Sequence, residues 1–144
     1  MEPELVKRYI ENGTLRLEWR DFPHFGEESR RAAVAARAAQ EQGKFWEYHN
    51  LLYQNQKSIN SGAFSNDNLI GFARDAGLDV EQFEASFKSN KYEAVVDKDF
   101  REGQDAGIVS TPSFEINGRV LVGPQPLATF EQVIEEEAQR ADNG

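Results

Sequence analysis

The chain has 144 residues, with 16 Lys and Arg against 25 Asp and Glu, a net charge of −9, and no cysteine. This length fits one domain that buries roughly two-thirds of its unfolded surface. The acidic excess argues against a nucleic-acid backbone or an anionic membrane as main partner, and the absence of cysteine excludes disulfides, thiolate nucleophiles and CxxC centres within these residues.

The N-terminal segment, with Glu2, Glu4, Lys7 and Arg8, is too charged for a signal peptide, and no apolar run approaches a membrane span. Leu5, Val6, Tyr9 and Ile10 form one helical stripe over residues 2–12, and Asn12-Gly13 supplies the stop. From Thr14 to Asp21, Leu15, Leu17 and Trp19 alternate with Arg16, Glu18 and Arg20, which predicts a strand with one polar face. Residues 21–26 break that pattern. Glu27 to Gln42 is Ala-rich and helical up to Gly43, and Lys44 to Gln56 predicts a second helix with an aromatic face of Phe45, Trp46, Tyr48 and Tyr53.

After a polar loop over Ser58 to Phe64, Ser65 is a candidate N-cap for a stripe of Leu69, Phe72, Ala73 and Ala76. Asp79 and Gln82 resemble a capping box in front of Val80, Phe83 and Phe87. A longer helix is expected from Lys91 to Ala106, closed by Gly107. Asn117-Gly118 between Pro112–Ile116 and Arg119–Val122 predicts a tight hairpin, and Pro126 opens a final helix carrying Leu127, Phe130, Ile134 and Ala138. The expected order is helix, strand, five helices, hairpin, helix: an α/β layer with a helical insertion between two halves of a sheet.

Val109-Ser-Thr-Pro-Ser-Phe-Glu-Ile-Asn-Gly-Arg-Val-Leu-Val-Gly123 resembles the cis-proline loop and terminal hairpin of thioredoxin-fold proteins. Leu17–Pro23, Ser29–Ala39 and Gly43–His49 resemble the DsbA-like disulfide oxidoreductases with their inserted helical domain. The resemblance implies a helix-rich, thioredoxin-like single domain over 1–144, with a split core of 2–25 and 107–142 around an insertion of 26–106. It also implies a departure. The family's first, central strand and its CxxC belong immediately upstream of Glu2, so the chain is expected to be a truncated or redox-dead member whose residues 2–12 trail the active-site helix.

Several expectations follow from the resemblance. Ser110, Thr111 and Pro112 would bind an extended protein or peptide thiol or disulfide substrate, with Thr111 offering its backbone beside a cis bond. The parent would exchange disulfides outside the cytoplasm, whereas this chain, holding no catalytic cysteine, would be inactive. The unpaired strand edges left by a missing strand would favour a homodimer. Two other readings stay open: a cysteine-free thioredoxin-like module that binds peptides or proteins, and a glutathione-dependent isomerase or transferase relative.

The remaining candidates have plainer explanations. His24 lacks a Ser/Asp partner at interpretable spacing and is read as a solvated loop residue, and His49, among aromatics, as a packing residue. The aromatics at 45–53 are read as core, not as a platform for bases. Asp97, Asp99 and Glu135-Glu136-Glu137 are read as solvated helix faces, not metal sites. No cofactor, metal or nucleic-acid partner is expected.

Overall fold

The computed structural model describes residues 2–143, with side chains from Glu4 onward. The chain divides into two compact units, one formed by residues 1–19 with 104–144 and the other by Arg20–Gly103.

The first unit opens with α1 (Glu2–Leu5), which continues into a π-helical turn over Val6–Ile10, where Glu11 N–H reaches back five residues to the Val6 carbonyl at 3.0 Å. Residues 15–25 run without helix or strand pairing. The strand expected over 14–21 is therefore not formed. Alternation supplies a strand-like conformation, but a strand also needs a ladder, and this segment takes no place in the sheet of the described residues. Leu17 is accordingly exposed, and Arg16 pairs with Glu18 on the same side at 2.5 Å, as extended backbone allows.

The hairpin forms as expected. β1 (Ser113–Ile116) pairs antiparallel with β2 (Arg119–Val122), Ile116 opposite Arg119, and these two strands make the whole sheet among the described residues. Asn117 and Gly118 both take positive φ, 48° and 88°, the handedness that matches a two-residue loop to the strand twist. α7 (Leu127–Asp142) follows Pro126 and buries Phe130, Val133 and Ile134, with Phe130 edge-on to Phe114 at 4.8 Å.

The second unit is all helical: α2 (Glu27–Glu41), α3 (Phe45–Gln54), α4 (Asn66–Asp75), α5 (Val80–Lys88) and α6 (Glu93–Asp105, which runs just past the unit's end). α2 carries small residues on its buried face, so neighbouring helices approach it closely. Ala35, Ala38 and Ala39 are fully buried. Gly43, at φ 70°, ends α2 with a turn in which Lys44 N–H returns to the Ala39 carbonyl at 3.1 Å and Gly43 N–H to Gln40 at 2.9 Å. Tyr48, Phe83 and Leu69 fill the core, and the Tyr48 hydroxyl donates to the Leu69 carbonyl at 2.9 Å. That burial raises the Tyr48 pKa far above its ordinary value.

Candidate functional site

The expected binding residues sit on the loop that leads from α6 into the hairpin. Gly107 stops the helix at φ 76°, Val109 projects into solvent at 81% exposure, and Thr111 and Pro112 are exposed, with Ser110 half-buried. The Thr111–Pro112 peptide is cis. Two bonds fix the loop. Ser113 Oγ donates to the Ser110 carbonyl at 2.7 Å, and Gly123 N–H donates to the Pro112 carbonyl at 2.8 Å, extending the hairpin ladder by one rung. Thr111 lies between these anchors, and among the described residues nothing bonds its N–H or its carbonyl. The loop thus presents an exposed donor and acceptor on a held backbone.

Neighbouring main-chain groups follow the hairpin register. Ile116 and Phe114 face Arg119 and Leu121 as bonded pairs, so the alternating Ser113 and Glu115 turn their backbone groups away from β2 to a free edge.

The histidines take no part. The His24 ring packs at a tilt against Phe25 with centroids 3.8 Å apart and places Nδ1 3.1 Å from the Phe22 carbonyl, so it is an aromatic packing residue, not a freely solvated one. His49 is buried among Phe45, Trp46 and Tyr53, as expected. Phe45 and Tyr48 belong to the core, whereas Trp46 and Tyr53 are exposed.

Glu135 is exposed as expected, but Asp99 and Glu137 are buried, and the others are held in ion pairs. Asp99 is 5% exposed and accepts from Arg37 at 2.7 Å and from the Asp21 backbone N–H at 3.1 Å, while Arg37 also donates to the Asp21 carboxylate at 2.6 Å. Arg20 approaches the Asp99 carboxylate from the rim at 3.4 Å. Asp97 pairs with Arg30 at 2.5 Å, and that partner holds its carboxyl below the ordinary value. Glu137 is buried and bonded to Arg140 at 2.8 Å, and Glu136 pairs with Arg119 at 2.5 Å.

Apart from Glu137–Arg140, which lies within α7, these are ionic clamps between separate parts of the chain. The one available signal for the Asp21–Arg37–Asp99 clamp was Arg37 itself, the single charge in the run Ala32–Ala39. No group of three His, Cys, Asp or Glu able to hold a metal occurs among the described residues. No helix of the described residues is long and apolar enough to cross a membrane.

Comparison with known proteins adds the following. A family model described as thioredoxin matches residues 1–136. A probable disulfide bond formation protein D of Bacillus cereus is 31% identical over 122 residues, which is 82% of this chain and 56% of that protein. The chain therefore spans about half the length of the curated relatives it matches.

A Na(+)/H(+) antiporter NhaA of Herminiimonas arsenicoxydans is 34% identical over 72% of this chain, but only 16% of the antiporter is involved. Among solved structures, oxidised BdbD from Bacillus subtilis superposes with a TM-score of 0.85 at 21% identity, covering 95% of this chain and 76% of that one. A thioredoxin-like oxidoreductase from Silicibacter pomeroyi gives 0.71 at 27% identity, over 83% and 66%.

Proposed function

Because the chain belongs to the thioredoxin family and carries the DsbA-like form of its fold, we propose that Ser110, Thr111 and Pro112 hold an extended segment of a protein or peptide substrate, while the thiols that exchange disulfides lie outside these 144 residues. The unbonded, exposed Thr111 N–H and carbonyl carry the reading, since they match the main-chain donor and acceptor of one residue of an added strand. The name of the Bacillus cereus relative, a disulfide bond formation protein, supports the reaction class.

The chemistry sets a limit on this chain by itself. Disulfide exchange starts with a thiolate attacking a disulfide sulfur, and these residues include no cysteine. The 144-residue chain is therefore a binding body without a redox centre. Oxidising surroundings outside the cytoplasm suit the reaction, and a reporter fusion or fractionation of the producing cells tests that setting. A homodimer through the free edge at Ser113 and Glu115 belongs to the same reading. Light scattering over a range of concentrations tests it, and a monomer throughout removes it.

Two measurements on the chain test the main reading. In an insulin-reduction assay it should show no turnover above background. In a titration with an unstructured peptide, the backbone amide resonance of Thr111 should move and those of α4 should not. Turnover above background overturns the redox half of the proposal, and an unmoved Thr111 resonance at saturating peptide overturns the binding half. The reading in frame upstream of Glu2 separates the alternatives: a CxxC there supports the oxidoreductase, and its absence the cysteine-free binding module.

A further inference from the structure

The sequence holds three Asn-Gly dipeptides, at Asn12, Asn117 and Asn143. An Asn side chain followed by glycine is open to attack on its amide carbon by the next backbone nitrogen, because glycine has no Cβ to obstruct the approach. The reaction needs three free groups: the Asn amide, the following N–H, and room for the ring. The structure separates the first two dipeptides sharply on this criterion.

At Asn12 all the participating groups are engaged. Its Nδ2 donates to the Arg8 carbonyl at 2.7 Å, its Oδ1 accepts from Thr14 N–H at 3.0 Å, and Gly13 N–H donates to the Ile10 carbonyl at 3.0 Å. Asn117 is the opposite case. It is exposed at the tip of the hairpin, and among the described residues nothing bonds its side chain or the Gly118 N–H. A Cβ built on either Gly118 or Gly13 meets nothing within 4 Å, so room is available at both sites and the hydrogen bonds alone separate them. Asn143 ties its Nδ2 to the Gln139 carbonyl at 2.7 Å.

We propose that Asn117 is a site of spontaneous modification, converted through a succinimide to Asp and isoAsp while Asn12 is spared. The Gly118 nitrogen, on losing its proton, forms a bond to Asn117 Cγ. The Cγ–Nδ2 bond breaks and ammonia leaves. Water then opens the ring at either carbonyl. Opening at the side-chain carbonyl returns an ordinary main chain with Asp at 117, and opening at the other places the side-chain methylene in the main chain. The attack needs the turn to open, and Arg119 beside it is tied to Glu136 of α7, so the rate follows local opening of the hairpin tip.

The consequence for the hairpin follows from its register. A two-residue loop sets which residues face each other, so a main chain lengthened at 117 no longer fits the Ile116–Arg119 pairing. The same ladder ends at the 2.8 Å bond from Gly123 to Pro112. On the reading of Ser110–Pro112 given above, the modification would loosen the substrate-binding loop. The modification itself stands without that reading.

The test is incubation of the folded 144-residue chain at mildly alkaline pH, followed by peptide mapping for the mass gain of exchanging NH2 for OH. Labelling with an isoaspartyl methyltransferase identifies the isomer. Conversion at Asn117 should exceed that at Asn12 by roughly tenfold or more, the factor expected when several net hydrogen bonds must first open. Asn117→Ser should abolish the methyltransferase signal from the hairpin peptide. Equal conversion at the two sites, or an intact Asn117 in the folded chain when the unfolded chain converts readily, overturns the proposal. Peptide binding enters none of these readouts, so failure here leaves the binding proposal untouched.

Discussion

Glu41 is the last residue of α2, where the partial negative charge of the helix end disfavours a carboxylate. Three donors offset this: Ser86 Oγ at 2.6 Å, Tyr92 Oη at 2.8 Å and Lys91 Nζ at 2.9 Å. The Ser86 bond, followed by those from Lys91 and Tyr92, brings the Glu41 pKa down from 4.5 to about 2. A carboxyl depressed on folding stabilises the fold fully above its unfolded pKa and loses that contribution as pH falls to the folded one. Urea midpoints of the unsubstituted chain should therefore drop between pH 4.5 and about 2. Glu41→Gln should lower the midpoint at neutral pH and flatten the drop; an unchanged acid profile would contradict this role.

Arg37 makes a different case, because its partners are buried. Arg37→Met leaves the Asp21 and Asp99 carboxylates, 2% and 5% exposed, without their shared cation. Removing one member of such a buried set typically costs about 3–5 kcal/mol. Adding Asp21→Asn and Asp99→Asn to the Met variant should recover much of the loss, and an additive triple variant would show that the three do not act together. The clamp could not be read from spacing, since Arg37 and Asp99 lie 62 residues apart and only the fold makes them neighbours.

Helix starts in this chain differ in how well their caps are built. Asp79 accepts from Gln82 N–H at 2.9 Å, whereas Ser65 accepts from Asn68 N–H at 3.4 Å, near the limit of a useful bond. The capping box expected at Asp79 and Gln82 is completed from elsewhere. Gln42 accepts from Asp79 N–H at 2.8 Å and donates to its carbonyl at 3.0 Å, so the side chain behaves like a short strand partner. Asp79→Ala should cost about 1 kcal/mol, the typical value for a lost N-cap, and Ser65→Ala clearly less. Equal losses in thermal or urea unfolding would refute the ranking.

Elements whose signals are local were legible in the sequence for this reason. Asn117-Gly118 fixes its own turn, Ser65 and Asp79 mark their own helix starts, and Gly43 and Gly107 their own stops. The segment from Leu15 to Trp19 was not legible, because alternation says which way side chains point and nothing about whether a ladder partner exists. The candidate site shows the same split. The cis Thr111–Pro112 bond was legible from its motif, whereas the unbonded state of the Thr111 backbone groups depends on contacts that only the three-dimensional structure reveals.

The distribution of buried side chains sets the last prediction. Of the nineteen buried hydrophobic residues among those described, sixteen belong to the Arg20–Gly103 unit, and only Phe130, Val133 and Ile134 to the other. The ionic clamps at Asp21–Arg37–Asp99, Arg30–Asp97 and Glu41–Lys91 are also internal to Arg20–Gly103. A continuous segment of roughly eighty residues with its own core lies in the range that folds alone. Two strands under α7, by contrast, are marginal without further sheet. Residues 20–103 produced alone should therefore melt cooperatively with helical circular dichroism. Residues 1–19 joined to 104–144 by a flexible linker should not. If 20–103 instead binds a hydrophobic dye and loses its signal gradually, the helical unit needs the rest of the chain for its packing. The division of the core would then describe contacts and not stability.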